Sequence, residues 1–101
     1  FEDISFVKRR IIHGQGEGKK IKLFDIPYNQ VIVNYTVVAQ DSCNVKTYVK
    51  DDRDPTFYKQ MDLDIGPSVM AYGSFLAHRS FWIEVSNNSV VRYVAFGKIN
   101  E

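Results

Sequence analysis

Val31-Ile32-Val33-Asn34-Tyr35-Thr36-Val37-Val38 is the stretch on which the fold turns. Read with a period of two, Val31, Val33, Tyr35 and Val37 project to one side, and Ile32, Asn34, Thr36 and Val38 to the other. Its β-branched and aromatic residues suit a pleated, half-buried surface. Apolar side chains on both sides predict a central strand, covered on one face and partly covered on the other.

The same rhythm recurs outward from this strand. Towards the N-terminus, Asp25-Ile26-Pro27-Tyr28-Asn29 is a break, residues 19–24 alternate with Ile21 and Leu23 on either side of Lys22, and Gly14-Gln15-Gly16-Glu17-Gly18 ends a run from Ile4 to His13. Towards the C-terminus, Gln40-Asp41-Ser42 is a turn, after which Val45, Thr47 and Val49 alternate with Asn44, Lys46, Tyr48 and Lys50. Residues 51–55 form a polar loop whose proline ends any ladder. Met61-Asp62-Leu63-Asp64-Ile65 predicts apolar side chains in and carboxylates out, and Gly66-Pro67 closes it.

Residues 68–76 are β-rich, with Ala71 and Gly73 on one face marking a bend or a close approach. Phe81, Ile83 and Val85 point inward with Trp82 and Glu84 opposite, and Asn87-Asn88 predicts a tight hairpin turn into a last strand over residues 90–99. No segment predicts a helix. Eight short strands at this spacing predict an all-β fold: a two-sheet antiparallel β-sandwich of jelly-roll or related Greek-key topology, one domain over residues 1–101.

Composition narrows the function classes. Hydrophobic residues make up 45% and charged residues 25% of the 101, the balance of a globular domain. A net charge of +1 is too small for electrostatic capture of nucleic acid or a membrane surface, and it leaves self-association unopposed. The charge is uneven: Lys8, Arg9, Arg10, Lys19, Lys20 and Lys22 lie early, Asp51, Asp52, Asp54, Asp62 and Asp64 in the middle, a pattern that could register a contact between copies. Cys43 is the single cysteine, so the chain cannot form an internal disulfide. No apolar run is long enough to span a bilayer, and no charged-then-apolar leader is present. The chain begins at Phe1, which points to processing or a longer parent.

Candidate chemistry is sparse. Gly14-x-Gly16-x-Gly18 precedes a strand rather than a helix, so it predicts a mobile connection rather than a phosphate cradle. Asp51-Asp52-x-Asp54 lacks the turn glycine and terminal glutamate of a calcium loop. His13, His78 and Cys43 have no paired zinc spacing. Lys8-Arg9-Arg10 and Lys19-Lys20-x-Lys22, beside Phe6, Phe24 and Tyr28, resemble material for a nucleic-acid platform, but alternation divides the basic residues between two faces. No catalytic residue, cofactor or metal is expected.

The aromatic share of 14% is the remaining lead. Trp82, Tyr72, Tyr48 and Tyr58 are the candidate contact residues, for a partner or for the apolar face of a sugar ring. The sequence thus predicts a non-enzymatic structural or attachment module that self-associates as a homo-oligomer and contacts other structural proteins or surface glycans, as a virion or cell-surface component. The alternative expectation is a carbohydrate-binding module with an aromatic platform. Placement outside the cell or on a virion surface goes with both.

Overall fold

A computed structural model describes residues 4–26, 31–76 and 79–99. The expected break at Pro27, Tyr28 and Asn29, and His78, lie outside the described residues. The regular structure is β throughout: β1 (Ile4–His13), β2 (Lys20–Asp25), β3 (Val31–Ala39), β4 (Cys43–Lys50), β5 (Tyr58–Ile65), β6 (Met70–Leu76), β7 (Ser80–Val85) and β8 (Val90–Ile99). They form two four-stranded sheets, ordered β1-β8-β3-β6 and β2-β7-β4-β5, with all neighbours antiparallel. The protein is therefore a two-sheet β-sandwich, and its strand order is compatible with a jelly roll.

Only β4 and β5 are joined as a hairpin; every other connection carries the chain from one sheet to the other. This corrects the expectation for Asn87-Asn88. The residues end β7 in the second sheet and lead to β8 in the first, so their turn is a crossover. Ser68, at 61°, is the only non-glycine among the described residues with positive φ, so neither asparagine uses the left-handed conformation of a tight hairpin. Instead the Asn87 Oδ1 accepts the Ser89 amide at 2.8 Å and its Nδ2 donates to the Ser42 carbonyl at 3.1 Å.

The glycine connection is likewise tied rather than free. Gly14 donates its amide to the Ser89 carbonyl at 2.9 Å, and Gly18 donates to a Glu84 carboxylate oxygen at 2.9 Å. Gly16 and Gly18 sit at φ 99° and 85°, where side chains other than glycine's are strained.

The core lies between the sheets. Val33, Tyr35 and Val37 of β3 are buried between β8 and β6, as their periodicity predicts, and Phe81, Ile83 and Val85 of β7 are fully buried opposite them. Phe81 joins Phe24, Tyr35 and Phe75 in one ring cluster, with centroids 5.5, 4.8 and 4.8 Å away. Tyr35 Oη and Thr47 Oγ1 hydrogen-bond at 2.8 Å, linking the first sheet to the second through the interior.

Gly73 is a place of close approach: a Cβ there would clash with the Cζ–Oη end of the Tyr35 side chain. The β5 pattern holds only at one end. Ile65 is buried and Met61 half-buried, but Leu63 is 44% exposed because β5 is an edge strand whose inner side is incompletely covered.

Candidate functional site

The two outer faces differ in kind. On the second sheet, Trp82 and Tyr48 are register partners on β7 and β4 and share the outer face. Phe57, from the connection between β4 and β5, folds over them. Its ring meets Trp82 edge-on at 5.1 Å and Tyr48 at 6.0 Å. Lys20 places its ammonium 4.8 Å from the Tyr48 ring centre and 5.1 Å from that of Phe57. The Trp82 indole donates to Ser80 Oγ at 2.9 Å.

Beneath this cluster Glu84 is only 5% exposed. It accepts from the Gly18 amide and from Tyr48 Oη, each at 2.9 Å, with the Lys20 ammonium 3.9 Å away. The Gly18 amide holds the carboxyl below the ordinary glutamate range against the opposing effect of burial, helped by Tyr48, Lys46 and Lys20. Burial, then the Glu84 hydrogen bond and charge, pushes the Tyr48 phenol up to about 12. These groups clamp the glycine connection onto the sheet.

A depressed folded pKa adds stability above the ordinary value of 4.5, and that stability is lost as pH falls through the lower folded value. Glu84→Gln presents an amide donor to the Gly18 amide in at least one orientation and removes the charge. It is expected to cost about 1–3 kcal/mol at neutral pH and to flatten the acid limb of stability. Urea denaturation at stepped pH measures both.

The acidic residues of the middle segment are engaged locally. Asn44 Nδ2 donates to Asp62 at 3.0 Å and Asp64 at 2.9 Å, and Lys59 pairs with Asp62 at 3.2 Å. Asp52 pairs with Arg79 at 3.3 Å, while Asp54 accepts from the Thr56 amide at 2.9 Å and from Tyr58 Oη at 2.6 Å. The acidic segment is thus engaged by its own neighbours rather than by the early basic residues. Among the described residues no three His, Cys, Asp or Glu side chains come together as a metal site. Cys43 is buried, and burial pushes its thiol up, which disfavours the thiolate a nucleophile needs. No helix among the described residues is long and apolar enough to cross a membrane.

The first sheet presents a different outer face, built in rows by strand register. Val7, Phe96, Asn34 and Ser74 form one row across β1, β8, β3 and β6; Arg9, Val94, Thr36 and Tyr72 the next; Ile11, Arg92, Val38 and Met70 the third. Of the eight exposed large hydrophobic residues among those described, Val7, Ile11, Ile32, Met70 and Tyr72 lie on this face, and none lies on the outer face of the second sheet. The face holds two depressions. One of about 320 Å³ includes Ile11, Val38, Val90 and Arg92; the other, of about 520 Å³, runs between Tyr72 and Phe96 over Asn34, Thr36 and Ser74.

The four candidate contact residues therefore separate. Tyr48 and Trp82 are together under Phe57, Tyr58 is on edge strand β5 bonded to Asp54, and Tyr72 stands 72% exposed on the other sheet. Sequence reasoning missed Phe57 as the cover and Phe96 and Asn34 as companions of Tyr72. Outward parity was a signal for Asn34, but only register brings it beside Phe96.

Among solved structures the chain is similar to a protein of the Bacillus endospore appendages, described as a novel family of disulfide-linked pili. The two share 11% identity over 95% of this chain and 88% of that one, with a TM-score of 0.53. At this identity the likeness shows the fold, the same sandwich over nearly the full length. No family model and no curated protein sequence matches the chain.

Proposed function

We propose that this chain is a non-enzymatic structural or attachment module that self-associates through the outer face of its first sheet, as a component of a virion or cell surface. The observation that carries the reading is the one-sided distribution of exposed apolar residues. Ile11, Val38 and Met70 share a row on this face, whereas on the outer face of the second sheet Phe57 and Lys20 cover Tyr48 and Trp82, and the polar groups are bonded internally. A net charge of +1 leaves little repulsion between copies. Three of the edge strands carry charge: Lys8, Arg9 and Arg10 on β1, Lys20 and Lys22 on β2, and Lys59, Asp62 and Asp64 on β5. Charged edges discourage strand-to-strand addition at these three and leave β6 as the one uncharged edge, which favours contact through a face.

The pilus protein of like fold supports assembly as a use for this sandwich. Its disulfide linkage does not carry over to these residues, because one cysteine can join two copies but cannot extend a chain of them. Sedimentation velocity over a concentration series tests the proposal. The protein is expected to form oligomers, and Ile11→Asp combined with Met70→Asp to yield monomers with an unchanged β-sheet dichroism spectrum. A protein that stays monomeric at millimolar concentration has no such contact.

A further inference from the structure

We propose that the second depression on the first sheet, between Tyr72 and Phe96, is a binding groove for a neutral glycan. It lies on the same outer face as the proposed self-association contact, one row from Ile11, Val38 and Met70, so the two uses compete for that face and a monomeric variant separates them.

The floor is β3, whose backbone is paired to β6 on one side and β8 on the other. Its ladder groups are therefore occupied, and what it offers upward is the side chains of Asn34 and Thr36, with Ser74 beside Asn34 in register. None of these three side chains hydrogen-bonds a described residue. On the outer face of the second sheet, by contrast, Asn44, Tyr48, Glu84 and Trp82 are all bonded internally. An amide and two hydroxyls, each able to donate and accept, thus lie side by side with no hydrogen-bond partner among the described residues.

Two rings bound them. Tyr72 is 72% exposed on β6, and Phe96 is half-buried on β8, so each presents apolar surface to the space between. A ligand matching this set needs hydroxyls for the floor and a flat C–H surface for the walls, which is the chemistry of a pyranose. The volume of about 520 Å³ falls within the ordinary size range of small-molecule sites. No residue lining the groove is charged. The lining itself offers no counter-charge to a phosphate or carboxylate, which favours a neutral sugar. An extended peptide would seek open backbone groups, which lie along the outer edge of β6 and not over the floor between the rings.

The test is an amide-resolved NMR titration of the whole chain with neutral linear hexaoses of glucose, galactose and mannose. At least one is expected to shift amides around residues 34–36, 72–74 and 94–97 with millimolar or tighter affinity. Tyr72→Ala is expected to weaken that binding about tenfold, as for loss of one stacking ring, and Asn34→Ala to weaken it severalfold. Trp82→Phe, on the other sheet, is expected to leave it unchanged. The Ile11→Asp, Met70→Asp variant, titrated in parallel, is expected to retain binding whether or not wild type self-associates. The proposal is overturned if none of the three hexaoses shifts the groove at millimolar concentration, or if the shifts map to Trp82, Tyr48 and Phe57.

Discussion

Phe81→Ala is expected to lower unfolding free energy by about 3–5 kcal/mol, a large part of the 5–15 kcal/mol that holds a domain together. Phe81 has no exposed surface and sits where both sheets meet. Tyr35 and Phe75 reach it from the first sheet and Phe24 from the second, at 4.8, 4.8 and 5.5 Å between ring centres. Truncation removes one ring from a cluster whose other members cannot close the gap. Tyr35 is fixed by its bond to Thr47 at 2.8 Å, and Phe24 is held against Tyr93 at 6.2 Å. A cavity that persists adds its own cost to the lost transfer energy.

Urea denaturation should show the midpoint falling sharply with the slope unchanged. Leu63→Ala is the matched control, since Leu63 lies on an edge strand and is 44% exposed; it is expected to cost under about 1 kcal/mol. Equal losses from the two variants would mean that the interior is not organised around Phe81.

The core was legible in the sequence because burial in a sheet follows parity. Val33, Tyr35 and Val37, or Phe81, Ile83 and Val85, announce their side by spacing alone, and both sets are buried. Pairing was not legible, because alternation says which way a side chain points and nothing of which strand lies next to it. Asn87-Asn88 shows the consequence. A polar turn between two alternating strands reads as a hairpin, yet in a sandwich built by crossovers it joins strands of different sheets. Leu63 shows a second limit: its parity is inward, but an edge strand has less of the opposite sheet above it.

The candidate site fared similarly. Outward placement of Trp82 was readable by parity. Its cover was not, since Phe57 belongs to a connection with no period. Tyr72, Asn34 and Phe96 lie far apart in the chain and meet only through the register of three strands. The aspartates that look like an acidic patch in the sequence take up Asn44, Lys59 and Arg79 in space. Charge runs were therefore a poorer guide to this surface than apolar parity.

Gly73→Ala is expected to be nearly as damaging as Phe81→Ala, although it adds a single methyl group. Ala71 and Gly73 share the inward side of β6, and the small side of that strand exists to admit Tyr35 from β3, the register partner of Gly73. A Cβ at residue 73 would fall among the Tyr35 ring atoms Cζ, Cε1 and Oη. The ring cannot retreat. It is 2% exposed, lies 4.8 Å from Phe81 and 6.1 Å from Phe75, and its hydroxyl is bound to Thr47.

Relief must come from separating β6 from β3 or from breaking the Tyr35–Thr47 hydrogen bond that links the sheets through the core. Either places the loss at about 3 kcal/mol or more, the upper range for overpacking. The two residues should therefore be strongly coupled. In a Tyr35→Val background, which has already lost the ring, Gly73→Ala is expected to cost under about 1 kcal/mol, a coupling larger than contacts between independent sites produce. Additive losses across the four proteins of this cycle would show that Gly73 is kept for its backbone freedom rather than for the ring that crosses it.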